Sequence, residues 1–367
     1  MLKIDRRLIV HFDWTLLLIV LLIIGCGVTT VLSATHSAAR PVSSSVVRQL
    51  AWAGVGLLAM LAALSFDYRR LESWAYVIYA GALLLLILVP VLGAVGGGSR
   101  RWLILGPASL QPSEFIKLAL VVALARWLHR MTGDQPLPIR ALIVPLALFL
   151  PAGLLILRQP DLGTAMVLGL TVASLVLLAG FRVRYVLIAL AVIAPALPFV
   201  WSHLKPYQKQ RLTTFLDPMA DPLGAGYHVI QSEIAIGSGQ VWGKGFLHGT
   251  QSKLNFLPEQ HTDFIFSVFA EEWGFIGAMV MLTLYLALLL RCFMVATRAK
   301  DAFGTLLAFG ITATIFWQVL INLGMATGSL PVVGITLPFV SYGGSSLLAL
   351  MIGIGLLMNI GMRRFTF

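Results

Sequence analysis

LPEQHTDFIFSVFAEEWGFIG, residues 257–277, decides how the chain is read: a polar loop gives way within a few residues to a run apolar enough to cross a bilayer. Asp263 stands at that transition, where a helix leaves water for lipid. An ionisable side chain at such a depth is unfavourable unless it is paired, solvated by a cavity or put to use. That makes Asp263 the candidate working residue. The structural alternative is helix capping, since Thr262 and Asp263 are both good N-cap types.

The remainder of the chain has the same character. Of its 367 residues, 59% are apolar and only 11% charged, with a mean hydropathy of +0.91, which describes a polytopic membrane protein and not a soluble domain. Apolar runs fall at 14–33, 49–66, 74–93, 113–128, 141–157, 162–180, 185–201, 274–296, 304–326 and 345–361. They predict an all-α fold of ten transmembrane helices packed as a single domain over residues 1–367, with one long loop, 202–262, between the seventh and the eighth. Lys3, Arg6 and Arg7 imitate the start of a signal peptide. The first run is too long for a signal core and further spans follow, so it is read as a retained span. Cys26 and Cys292 lie inside apolar runs and suggest neither a disulfide nor a metal knot. The net charge of +11 is explained by topology and anionic lipid, with no call for nucleic acid.

Orientation follows from the basic residues beside alternate span ends. One side gathers fifteen Lys and Arg, among them Arg69, Arg126, Arg291, Arg298 and Arg364; the short loops opposite hold Arg40, Arg48, Arg100, Arg101 and Arg158. Both termini are therefore expected in the cytoplasm, with Asp263 and loop 202–262 outside. The outward segment 96–112, GGGSRRWLILGPASLQP, has the glycine, proline and tryptophan content of a folded re-entrant or interfacial turn. YHVIQSEIAIGSG, 227–239, alternates compatibly with an interfacial amphipathic helix. GSLPVVGITLPFVSYGGSS, 328–346, is expected to dip into the bundle, where irregular backbone survives only if protein or a watery cavity satisfies it.

Several residues on the outward side are candidates for chemistry. Glu114 and Lys117, three apart on one helix face, form either a structural ion pair or a ligand contact in which Lys117 holds an anion and Glu114 orients it. Asp161 either caps the sixth span or lines the same cavity as Asp263. Arg48, Arg101, Lys205, Arg211 and Lys244 are candidate contacts for a pyrophosphate if they converge, and interfacial anchors if they do not. No zinc spacing, P-loop or serine-nucleophile motif is present.

GSRRWLILGPASLQPSEFIK, QPDLGTA, FLPEQHTDFIFSVFAEEWGFIG and PVVGITLPFVSYGGSS occur in one order along the whole chain. Together they resemble the SEDS family (shape, elongation, division and sporulation proteins), and its rod-shape members more than its division members. The resemblance implies a ten-span peptidoglycan glycosyltransferase of the cytoplasmic (inner) membrane that polymerises lipid II on the outer face. It also implies a class B penicillin-binding transpeptidase as partner and a place in the cell-elongation machinery. In that setting Asp263 is expected to act as general base on the acceptor hydroxyl. Arg48, Arg101, Lys117 and Arg211 are expected to stabilise the undecaprenyl pyrophosphate leaving group, with a divalent cation, magnesium or manganese, as an open addition. Two readings from other classes remain at this point: a lipid II flippase, which would place coupling carboxylates near the midplane, and a non-catalytic scaffold for the transpeptidase.

Overall fold

The computed structural model describes residues 11–36, 42–96, 99–106, 108–131, 137–181, 226–254, 256–257 and 259–365, with isolated positions between 184 and 222. Nine of the ten apolar runs coincide with helices: α1 (Trp14–Ala34), α2 (Ser44–Ser65), α3 (Arg69–Leu92), α4 (Pro112–Met131), α5 (Ile143–Arg158), α6 (Leu162–Leu178), α9 (Ile265–Thr297), α10 (Ala302–Ala326) and α11 (Gly344–Met362). The run at 185–201 lies outside the described residues, as do Lys205 and Arg211. Among the described residues, seven helices are long and apolar enough to span a membrane, so the chain is an all-α polytopic membrane protein.

Burial sorts the helices into layers. In α11, 83% of the span window is buried and in α10 67%, against 22% in α3; α10 and α11 are therefore interior, as is α4, in which no residue from 112 to 129 is exposed. Small residues permit the closest approach, for a Cβ at Gly355 of α11 would lie 2.7 Å from the Met60 carbonyl of α2. Asn359 of α11 donates to the carbonyls of Ala63, Leu64 and Phe66, satisfying the C-terminal end of α2.

Two segments differ from expectation. Residues 96–112 were expected as a re-entrant or interfacial turn, but the chain there is mostly a small antiparallel sheet, β1 (Ala94–Gly96), β2 (Ser99–Leu105) and β3 (Ala108–Leu110), in the order β1-β2-β3. The arginine, tryptophan and aliphatic run of 100–105 suits a strand. The sheet is anchored by Ser345 of α11, whose hydroxyl accepts from the Gln111 amide at 3.0 Å and donates to the Ser109 carbonyl at 3.2 Å.

The second difference lies after Asp263. The span there does not begin directly; α9 is broken at Gly274 (φ 63°, ψ −162°), and the piece before the break, Ile265–Trp273, is almost wholly buried. The backbone groups freed by the break are taken up by the loop after α7 (Tyr227–Ser238). Phe275 and Ile276 donate to the carbonyls of Gln240 and Val241 at 2.8 and 3.2 Å, and Lys244 and Gly245 donate to those of Glu271 and Glu272, both at 3.0 Å. A helix interrupted inside a membrane protein needs such replacement partners. Buried Glu271 adds side-chain support, accepting from Lys244 Nζ at 2.7 Å and from the amides of Thr250 and Gln251 at 2.8 and 3.1 Å. Glu272 accepts from the Ser33 hydroxyl of α1 and the Leu247 amide. The helix expected over 227–239 is α7, tied down by Ser232, which bonds Ser267 Oγ and the Ala326 carbonyl, each at 2.6 Å.

The Gly274 conformation belongs to a region reserved for glycine, and a Cβ there would stand 2.7 Å from the Val241 carbonyl. Gly274→Ala should therefore lower stability by about 3 kcal/mol or more. Gly81→Ala, on a helix face with open space, should be neutral or stabilising by up to about 1 kcal/mol. Thermal midpoints of the two purified variants in detergent check this; similar midpoints would contradict the pairing of 240–245 with the break.

Candidate functional site

Six chain segments meet at one end of the bundle: the β2 strand, the N-terminal turns of α4 and α6, the loop before α9, α10 through Gln318, and the loop 328–343 with the first turn of α11. They enclose a cavity of about 440 Å³ whose lining includes Arg101, Trp102, Glu114, Lys117, Asp161, Glu259, Asp263, Gln318, Gly334, Tyr342 and Ser346.

Loop 328–343 forms the cavity's inner wall. Its residues Val333, Ile335, Leu337, Phe339 and Val340 are at most 4% exposed, as expected for a segment that dips into the bundle. Its backbone finds partners on every side. Asn322 of α10, fully buried, donates through Nδ2 to the Ile335 carbonyl at 2.6 Å and to the Asp263 carbonyl at 2.8 Å. Ser341 Oγ donates to the Thr262 carbonyl at 2.5 Å, and the Tyr342 amide to that of His261 at 2.9 Å. Tyr285 Oη donates to Pro338 at 2.6 Å and Gln49 Nε2 to Ser341 at 3.2 Å. The backbone of 261–263 is thus fastened to the re-entrant loop at three consecutive residues.

The half-buried Asp263 side chain projects into this cavity. Helix capping is not its role: the N-cap of α9 is Phe264, without a side-chain cap bond, and Thr262 Oγ1 turns back to Glu259. Gly334, at φ +74°, brings bare backbone beside the carboxylate, so that a Cβ there would lie 3.4 Å from Asp263 Oδ2. His228 of α7 stacks on Phe264 with ring centroids 6.3 Å apart. Burial pushes its pKa below the usual imidazole range, opposed by the Glu259 carboxylate.

The other expected residues divide. Glu114 and Lys117, 6% and 5% exposed, form an ion pair with Nζ at 2.9 and 3.0 Å from the two carboxylate oxygens, and both line the cavity. Asp161 does both things foreseen for it: Oδ1 caps α6 through the Thr164 amide at 3.1 Å, and the residue lines the cavity. Arg101 also lines it, held by the carbonyls of Gln159 and Pro160 at 2.9 and 2.5 Å. Of the wider set of cations, the described Arg48 and Lys244 do not join Arg101 in the lining, and Lys205 and Arg211 lie outside the described residues. Arg48 sits on an exposed face of α2, away from the lining, and Lys244 is engaged by Glu271.

Gln318 and Asn322 were not foreseen. Both are polar residues in the apolar run of α10, spaced i,i+4 on one face, and an intramembrane polar residue is a functional signal in its own right. Gln318 is 2% exposed, with Oε1 buried and unbonded. Among the described residues no three His, Cys, Asp or Glu side chains gather closely enough to hold a metal ion.

Residues 13–365 match the family described as Cell cycle protein, FtsW/RodA/SpoVE. The chain belongs to this family. Among its curated relatives is the peptidoglycan glycosyltransferase MrdB of Escherichia coli (strain K12), 42% identical over 356 residues that cover 97% of this chain and 95% of that protein. The peptidoglycan glycosyltransferase RodA of Treponema pallidum (strain Nichols) is 33% identical, covering 96% and 98%. Two solved structures superpose over 97% of the chain. One belongs to a peptidoglycan synthase complex studied for how polymerization and crosslinking are coordinated, with a TM-score of 0.83, 36% identity and 99% of that chain covered. The other is the rod shape determining protein RodA of Thermus thermophilus, with a TM-score of 0.72, 33% identity and 98% covered. Like these family members, the chain is a peptidoglycan glycosyltransferase.

Removing one member of a buried ion pair costs about 3–5 kcal/mol, while replacing both is close to neutral. Glu114→Gln should accordingly lower the thermal midpoint sharply, and Glu114→Gln with Lys117→Met should restore it. The restored double variant is expected to remain defective in glycan polymerisation; full activity would reduce the pair to a structural contact.

Proposed function

We propose that the cavity at Asp263 is where the glycosyl transfer takes place, with lipid II as substrate and the extracytoplasmic face of the cytoplasmic membrane as its setting. The observation that carries this reading is the pinning of Asp263: its backbone is fixed by Asn322, while its side chain enters a cavity large enough for part of a sugar and open at a bundle end. Asp263 takes the proton from the acceptor's 4-hydroxyl as that oxygen attacks the anomeric carbon of the donor, and the pyrophosphate leaves with the bonding pair. Direct displacement inverts the anomeric centre, and a β-linked product from an α-linked donor distinguishes it from a double displacement.

The described lining presents four carboxylates, Glu114, Asp161, Glu259 and Asp263, against two cations, Arg101 and Lys117. That balance does not by itself favour a pyrophosphate. Asp263 and Glu259 of the lining are hard oxygen donors that would hold a magnesium or manganese ion. When bound it would supply positive charge to the leaving group. Arg101 and Lys117 orient the substrate from β2 and α4.

The setting is supported by the ion pairs at the far end of the bundle. Arg69, Arg130, Arg291 and Arg363 pair with Asp301, Glu72, Asp13 and Asp67 there, and Arg70, Arg126, Arg298 and Lys300 add positive charge near the same helix ends, in keeping with a cytoplasmic side. A class B transpeptidase partner and a role in elongation fit the likeness to the synthase complex.

Purified protein supplied with lipid II, with penicillin and an inhibitor of the unrelated penicillin-binding-protein glycosyltransferases present, should form glycan polymer. Asp263→Asn should lower the rate by about 10²- to 10⁴-fold without changing the thermal midpoint. Retained activity in that variant would remove Asp263 as the base; no polymer from the wild type, alone or with its transpeptidase, would favour transport or scaffolding.

A further inference from the structure

The bundle end remote from Asp263 carries a second cavity, of about 380 Å³, between residues 11–15 and the C-terminal ends of α9 and α11. Three guanidinium groups line it, those of Arg291, Arg298 and Arg364. Asp13 is the one carboxylate among its described lining residues, and it is already engaged, accepting from Arg291 at 2.7 Å and capping α1 through the Leu16 amide at 3.0 Å. Positive charge therefore exceeds negative. The Arg291 side chain is one-third exposed and lines the cavity while it holds Asp13.

The level of the cavity along the helices narrows the ligand. Trp14, 68% exposed, is the first residue of α1, Arg298 follows the last residue of α9, and Arg364 lies two past the end of α11. Helix ends marked by an exposed tryptophan and by arginines sit in the headgroup layer of a bilayer. We propose that this cavity is a binding site for the phosphodiester headgroup of an anionic membrane lipid, held by Arg291, Arg298 and Arg364 with Trp14 against its glycerol and upper acyl region. Guanidinium forks match phosphate oxygens in geometry as well as charge. The site is independent of the catalytic cavity and uses none of its residues.

The test offers the full-length protein, in detergent, equal amounts of phosphatidylglycerol and phosphatidylcholine, and reads the retained lipid by native mass spectrometry. Arg298→Gln with Arg364→Gln leaves the Asp13–Arg291 pair in place. The wild type should retain phosphatidylglycerol preferentially, and the preference should fall by roughly fivefold for each arginine removed, the equivalent of about 1 kcal/mol apiece. Should the double variant fail to fold, Arg298→Gln alone, at an exposed position, reads the single fivefold step, while Arg298→Lys should keep most of the preference. Equal retention of both lipids by the wild type, or an unchanged preference in a folded variant, would overturn the proposal. Displacement of phosphatidylglycerol by millimolar inorganic phosphate would assign the cavity to a soluble anion and overturn the lipid reading.

Discussion

Irregular backbone at membrane depth has to be satisfied by protein, and here one buried amide joins the two irregular segments that matter. Asn322 spends both hydrogens of its Nδ2 on carbonyls that no helix could serve, those of Asp263 and Ile335. Each bond is of ordinary strength, but the alternative is an unsatisfied carbonyl inside a dry bundle, which is worse by several kcal/mol. The loop before α9 and the loop before α11 are consequently fixed to each other. Ser341 and Tyr342 repeat the link at Thr262 and His261. Asp263 is held by its main chain, and its carboxylate lies beside Gly334 at the cavity.

The same economy of polar partners recurs around the site. The break at Gly274 is repaired by the loop at 240–245, and the two buried carboxylates just before it are absorbed by backbone amides, a lysine and a serine. These contacts let a polar loop and a short buried helix occupy the end of a membrane bundle without unfolding it. The cavity that results is acidic overall. For a peptidoglycan glycosyltransferase this matters, because a base that removes a proton and a leaving group that carries negative charge ask for opposite local potentials. Lys117 and Arg101 enter the lining from α4 and β2, segments separate from Asp263's loop.

Most of the architecture was legible because hydropathy acts over whole helices: nine apolar runs became helices at nearly the predicted limits. Asp263, Glu114, Lys117, Asp161 and Arg101 could be read as cavity residues because charges are so unfavourable in lipid that each one present needs a reason. The sheet at 94–110 was obscured by its glycine and proline content, which signals a turn more strongly than short strands signal themselves. Arg48 and Lys244 were misplaced because sequence gives the side of the membrane but not the direction around the bundle. Lys244 in particular was claimed by Glu271, a buried acid that hydropathy treats as part of the span. Gln318 and Asn322 were readable in principle, as two polar residues one helical turn apart in an apolar run.

The central claim is that Asp263, fixed by Asn322 and lining one cavity with Lys117, is where sugar is transferred. A density map of the Asp263→Asn protein with lipid II bound tests it most directly. The account predicts disaccharide density inside the cavity, with a sugar hydroxyl within hydrogen-bond distance of residue 263 and the pyrophosphate toward Arg101 and Lys117. Lipid II ordered elsewhere on the protein, with that cavity free of sugar density, would contradict it.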